Sequence, residues 1–450
     1  MRARVVSLLR DSALQLGVRV SARRLLWFAV MLGLGLAPAV LNGYPIYFND
    51  SAGYDGSTYY DTRLATLALV ATPLYPVLGV WSLVVINAVV FAYLMMRFAD
   101  VFLNGVNPIL AAVIFTAALT PFYISFIAAD IWLVFLFLAL ALLLLRFSWP
   151  VLIIAVIAGA THGSHLFILV GAALVALLLR PGRARTAAVF GAVIAGTLVL
   201  TTTFNKVFPV ERLGLATVAS KILNDVPQAL QGLCTQEPAE KICGLKDLLA
   251  QHPSDGVEDD KFIWSAWLYE PDKLGMPGFN ALGGKLLMVA LKSYPLELAS
   301  AAAMDLVRFL GPQHCMGVVG YVDSDEAVLV HLTHQDKGTL ARRGLFENPQ
   351  LCGWAYVLQT SVLVIGMLSA LWLLVRAGRK EASLALLLVS ALIINDVFFA
   401  SASGPFGRYH LRGIGLAALS GLIALSFYLR RHRIRQGQVY PGAQAIHRQR

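Results

Sequence analysis

Carboxylates and guanidinium groups gather in short polar stretches of an otherwise apolar chain. Residues 44–61 carry Asp50, Asp55 and Asp61 among several tyrosines, Tyr54 included. A carboxylate placed there can take a proton from a hydroxyl nucleophile. The same composition also reads as a solvated turn, because Asn, Asp, Ser and Gly are ordinary turn formers. Residues 401–412 carry Arg408, Tyr409 and Arg412. A guanidinium binds phosphate through paired hydrogen bonds, and it equally pairs with a carboxylate such as Asp50 or Asp396.

Between these stretches lie Asp130 and the run Thr-His-Gly-Ser-His that contains His162 and His165. An acid next to lipid is a candidate for function. The competing role for Asp130 is an N-cap of the helix that follows it. On a helix, the spacing of the two histidines puts both on one face. A zinc site needs further ligands, so a helix-end or substrate-pocket role fits His162 and His165 better than metal binding. The sequence leaves the need for a divalent metal open.

The elements that must position these groups are helices in lipid. Of 450 residues, 58% are hydrophobic and only 14% are charged. A soluble domain averages about 25% charged residues. Apolar runs of spanning length predict an all-α polytopic membrane protein of about ten transmembrane helices. The runs are 25–41, 77–96, 108–126, 131–145, 151–160, 166–179, 187–204, 354–375, 382–399 and 413–429. The fifth and sixth are short, and they read either as two helices broken at 161–165 or as one.

The net charge of +10 carries topology information rather than a nucleic-acid signature. Arg23, Arg24, Arg97, Arg146, Arg183, Arg185, Arg376, Arg379, Lys380, Arg430 and Arg431 flank the runs. A layout of about ten spans puts all of them on one face, which the positive-inside rule assigns to the cytoplasm together with both termini. Residues 1–204 then form an N-terminal membrane module, 205–353 a mainly helical extracytoplasmic domain, 354–429 a C-terminal membrane module and 430–450 a basic tail. Within the extracytoplasmic part, Lys285–Leu310 reads as an amphipathic helix interrupted at Tyr294-Pro295.

All four cysteines, Cys234, Cys243, Cys315 and Cys352, fall in the extracytoplasmic segment. That placement suits disulfides in an oxidising compartment. Cys234–Cys243 with Cys315–Cys352 is the simplest pairing, and the spacing alone leaves the others open.

In this order, the pieces resemble the GT-C superfamily of integral membrane glycosyltransferases. The likeness lies in Asp50-Ser-Ala-Gly-Tyr54 in the first outer loop and in Thr-Pro-Leu-Tyr75-Pro76 before the second run. It lies also in Ser293-Tyr-Pro295 and in Gly407-Arg408-Tyr409 before the last run. The resemblance implies a GT-C fold in the plasma membrane, the bacterial inner membrane. It implies a polyprenyl-phosphate-linked sugar as donor and transfer to a glycan, lipid or protein acceptor on the extracytoplasmic face. Asp50 or Asp55 would be the base, and Arg408, with Arg412, would meet the phosphate. Tyr54, Asp130, His162, His165 and Tyr409 would line the substrate site. Without the resemblance, the residues also fit a flippase or transporter, a polymerase or ligase for lipid-linked glycans, or a non-catalytic membrane protein.

Overall fold

A computed structural model describes residues 21–43, 45, 46, 54, 66–103, 105–179, 182–208, 214–244, 274–310, 349–403 and 407–436. Among the described residues the architecture is helical, and the only extended pairing is an isolated parallel bridge between Ile46 and Phe126. The first half of the chain contributes α1 (Ala22–Leu41), α2 (Thr66–Ala71), α3 (Tyr75–Leu78), α4 (Trp81–Val101), α5 (Pro108–Ala117), α6 (Thr120–Ile124), α7 (Trp132–Leu143), α8 (Trp149–Ala160), α9 (Gly163–Leu179) and α10 (Arg183–Val207). An inserted region follows with α11 (Gly214–Asp225), α12 (Gln228–Gln236), α13 (Lys241–Gly244), α14 (Gly275–Ser293) and α15 (Pro295–Leu310). The chain closes with α16 (Pro349–Arg376), α17 (Arg379–Ala402), α18 (Gly407–Leu411) and α19 (Ile414–Arg435).

Six helices are long and apolar enough to cross a membrane: α1, α4, α10, α16, α17 and α19. The bent pairs α8–α9 and α14–α15 raise the number to eight if each is one span. In lipid every backbone polar group must be satisfied inside its own segment, and long apolar helices meet that demand. They mark the chain as an integral membrane protein.

The breaks have local causes. The run 108–126 does not form one helix: α5 ends at Ala117, Leu119 takes a left-handed φ of 54°, and Pro121 follows in α6. Proline lacks the N–H that would bond back into the preceding turn, so the helix restarts there. The pair α8–α9 turns by 119° at Thr161–His162, which makes 151–179 two helices. Tyr294-Pro295 breaks α14 from α15 with a bend of 108°.

Helix α7 is buried on every side, as a helix apolar all round must be. Its twelve residues span about 18 Å, shorter than the ~30 Å hydrocarbon core of a bilayer. It is the central post of the bundle.

One end of the bundle collects basic side chains. Arg23 donates to the carbonyls of Leu103 and Ala99 beyond and within the last turn of α4, at 2.9 and 3.3 Å. Arg24 pairs with Asp100 at 2.8 Å, and Arg185 reaches the carbonyl of Leu143 at the end of α7. Lys380 lies over the Phe102 ring, and Arg430 pairs with Glu381. Cations at helix C-termini are favourable because the terminal carbonyls carry partial negative charge. The starts of α1, α10 and α17 therefore share an end with the finishes of α4, α7 and α19.

The inserted helices bury a separate apolar cluster of Ala219, Ile222, Leu230, Leu233, Phe279 and Leu286. Cys234 and Cys243 are disulfide-bonded and tie α12 to α13. Cys315, and the side chain of Cys352, lie outside the described residues. Helix α15 packs on α17, so the insert abuts the bundle at the end opposite the basic side chains.

Candidate functional site

At that opposite end, polar side chains from distant parts of the chain converge. Asp130 stands in the turn before α7, His162 in the bend before α9, and Ser164 and His165 in its first turn. Asn395, Asp396 and Phe399 belong to the last turns of α17, Tyr409 and His410 to α18, and Arg412 to the turn that follows. Each segment is held in register by buried hydrogen bonds. Ser125 Oγ donates to Gly35 O at 2.9 Å and accepts from Ala39 N, which fixes the approach to Asp130 against α1. Trp132 Nε1 donates to Asn87 at 2.9 Å, and Asn87 donates to Ile124 O, fixing the start of α7 against α4.

Arg412 is the centre of the cluster. Its side chain is fully buried, and that of Asp130 is 7% exposed. The guanidinium donates to Asp130 Oδ1 at 3.2 Å, to Ser164 Oγ at 3.3 Å and to Asn395 Oδ1 at 3.0 Å. Its cationic carbon also lies 4.8 Å from the Phe399 ring centre and 5.1 Å from that of Tyr409. Those two rings stack 3.8 Å apart, giving the cation a π surface. A buried charge is tolerable only with a partner and further hydrogen bonds, and Arg412 has both.

A second arm leaves from Asn395. Its amide donates to Asp396 Oδ1 at 3.1 Å and to Tyr409 O at 2.7 Å. The other oxygen of Asp396 holds His410 Nδ1 at 2.9 Å, and Phe309 at the end of α15 stacks on that imidazole. A continuous chain thus runs from Asp130 through Arg412, Asn395 and Asp396 to His410. His165 lies close by, its Nδ1 at 2.8 Å from Ala158 O and 3.3 Å from the Thr161 hydroxyl. Its Nε2 is buried with no hydrogen-bond partner among the described residues. His162 sits 5.4 Å from His165, ring to ring, and 6.4 Å from Tyr409.

Asp130, His162, His165, Tyr409 and Arg412, singled out from the sequence, therefore lie together. Asp50 and Asp55 lie outside the described residues. Ile46 before them and Tyr54 between them are described. Ile46 N bonds Ser125 O, Ile127 N bonds Ile46 O, and Tyr54 is buried in the main core. Arg408 stands in α18 one helical turn before Arg412, with its side chain outside the described residues. Asp396, an expected partner for arginine, instead takes His410, and Arg412 takes Asp130. Sequence reasoning passed over Ser164, Asn395, Phe399 and His410 as site residues. The available signal was the adjacent pair Asn395-Asp396 inside an apolar helix, since polar groups there must find partners.

Among the described residues no group of three or more His, Cys, Asp or Glu side chains is arranged to hold a metal ion. The cluster can hold a fixed positive charge and present imidazoles and carboxylates beside it. No protein-family model, no curated protein and no solved structure matches the chain.

Proposed function

We propose that the protein is a GT-C-type membrane glycosyltransferase that moves a sugar from a polyprenyl-phosphate carrier to an acceptor on the extracytoplasmic face. The observation that carries this reading is the buried Arg412 cluster at the end of the bundle opposite the basic helix termini. It joins segments far apart in the chain, Asp130 and Arg412 being 282 residues apart. In this reading the basic end is cytoplasmic, about ten segments cross or enter the bilayer, and the inserted helices lie outside.

The chemistry asks for a positive field where the carrier phosphate leaves and a base where the acceptor attacks. Arg412 has its terminal nitrogens engaged by protein groups, so it acts as a fixed charge and strut. Arg408, one turn earlier on α18, is the group that meets the phosphate. A preorganised charge in a water-poor site stabilises the leaving oxygen without reorganisation. Asp50 or Asp55, on the loop anchored beside the Asp130 segment, orients and deprotonates the acceptor hydroxyl. The hydroxyl oxygen bonds to the anomeric carbon, the bond from that carbon to the phosphate oxygen breaks, and the phosphate departs with the electron pair.

The test uses full-length protein in nanodiscs, a panel of radiolabelled polyprenyl-phosphate sugars, and membrane extract as acceptor. Wild type is expected to transfer label. Asp50→Asn or Asp55→Asn is expected to lower transfer by 10²–10⁴-fold, on the order of a lost general base. Arg408→Ala is expected to weaken donor use. Undiminished transfer by the Asp50→Asn, Asp55→Asn double variant would remove the proposed base. A wild type inert towards every donor in the panel would count against the transferase reading itself.

A further inference from the structure

His410 also borders a small cavity that the mechanism above does not use. Phe309, Tyr356, Gln359, Thr360, Leu363, Leu411 and Ile414 complete its wall, and its volume is about 10 Å³. That is room for one water or one hydroxyl group. The helices around it are set by close packing. A Cβ at Gly366 of α16 would lie 2.5 Å from the carbonyl of Ala417 in α19, so only glycine lets these helices approach this far. Ser420 Oγ locks the approach by donating to Gly366 O at 2.9 Å. Gln359, two turns before Gly366, lines the same cavity as His410.

The polar groups in this wall are incompletely used. Gln359 is 3% exposed, and its Nε2 has no hydrogen-bond partner among the described residues. An amide donor buried without a partner is costly, and such groups in native proteins call for an explanation. Beside it, Asp396 fixes His410 through Nδ1. Gln359, its amide donor without a partner among the described residues, thus shares with Thr360 and His410 the wall of a space the size of one O–H group. A hydroxyl oxygen placed there can accept from the Gln359 amide.

We propose that this cavity is a hydroxyl-binding subsite, in which Gln359, Thr360 and His410 read a single hydroxyl of a carbohydrate ligand. It rests on the transferase reading for its ligand class and extends the same site: Asn395 and Asp396 connect the subsite to Arg412. When no sugar is bound, a water supplies the same hydrogen bonds. Gln359, Thr360 and His410 are specificity-determining residues that take no part in bond breaking.

Two measurements on the full chain in nanodiscs test it. The first is hydrogen–deuterium exchange at the His410 imidazole Cε1–H, which needs access only for water, read by mass spectrometry. The expectation is that His410 exchanges in the folded protein, that a polyprenyl-phosphate hexose slows the exchange, and that polyprenyl phosphate alone does not. The second compares affinities for the same two lipids. Gln359→Leu is expected to weaken the hexose lipid about tenfold, the worth of one good hydrogen bond, while leaving polyprenyl phosphate unchanged. His410 inert in the folded protein, equal protection by both lipids, or unchanged hexose affinity in Gln359→Leu each overturns the subsite. If neither lipid binds the wild type, the transferase reading fails. Protection of His410 by free hexoses at millimolar concentration then decides the subsite alone, and absence of protection identifies a water site only.

Discussion

Lys221 in the inserted helices and Arg412 in the bundle are both buried cations beside carboxylates, yet they are held in different ways. Lys221 bonds Asp225 one turn along α11 at 2.6 Å and Asp305 of α15 at 2.5 Å, and Arg308 returns to Asp305 at 2.9 Å. Two cations and two carboxylates close into a compact knot joining two helices. Burial pushes the Lys221 ammonium down, but Asp225 and Asp305 outweigh it, so its pKa stands above the ordinary lysine value. Among the described residues, Arg412 has one carboxylate, then neutral partners, aromatic faces and a chain leading on to His410. Two of the buried polar atoms without a partner among the described residues, His165 Nε2 and Gln359 Nε2, border that chain. A closed knot is an arrangement for holding two helices together. An open network with spare hydrogen-bonding capacity conflicts with stability at that spot, and such conflicts concentrate at functional sites.

The comparison breaks most readily through the two cations themselves. Arg412→Ala leaves Asp130 buried without its partner and is expected to cost about 3–5 kcal/mol. Thermal unfolding in detergent would show it as a large fall in Tm. Replacing both partners, Arg412→Met with Asp130→Leu, is expected to recover much of that stability and none of the sugar transfer. Lys221→Met is expected to cost about 3 kcal/mol, at the low end because Arg308 still neutralises Asp305. The apolar replacement Lys221→Met with Asp305→Leu and Asp225→Asn is expected to restore both stability and transfer. If the apolar bundle variant keeps its activity, or the apolar insert variant loses it, the two regions do not differ in the way described.

The disulfide gives a smaller effect. Cys234 and Cys243 are nine residues apart, so opening the bridge with Cys234→Ser and Cys243→Ser is expected to cost about 2–3 kcal/mol by loop-closure entropy. The loss should appear in the unfolding of the insert and leave lipid-donor affinity intact.

Smallest is the pH response of the insert's ion pairs. Lys221, with its pKa raised, stabilises fully below its unfolded value of about 10.4 and loses that contribution as pH rises through the folded value. Hydrogen bonding and charge from Lys285 hold the Glu237 carboxyl below the usual range. Its contribution is present above about 4.3 and is lost as pH falls through the folded value. Near-UV circular dichroism of the insert should therefore be flat between these limits, loosening at alkaline pH through Lys221. The exposed Lys285–Glu237 pair should be screened by salt.

Much of the architecture was legible because apolar length and flanking charge are local signals. Each apolar run contains helix, and the breaks at Thr161–His162 and Tyr294-Pro295 follow from residues in place. The run 108–126 misled because its length concealed Pro121, whose effect appears only with Leu119 in the left-handed region. The candidate site was legible as residue types and not as partners. Asp130 and Arg412 are 282 residues apart, and whether Arg412 meets Asp130 or Asp396 depends on how α7, α17 and α18 are rotated. The local sequence does not encode that rotation. Gln359 gave no signal at all, since a lone amide in an apolar run acquires meaning only when His410 is seen beside it.

The most direct test of the central claim is a structure of the full chain with a non-hydrolysable polyprenyl-phosphate sugar bound. The account predicts the phosphate beside Arg408, with the Arg412–Asp130 pair intact beneath it and Asp50 or Asp55 facing the anomeric carbon. A phosphate seated among the arginines at the basic end of the bundle, with the Arg412 cluster untouched and far away, would contradict it.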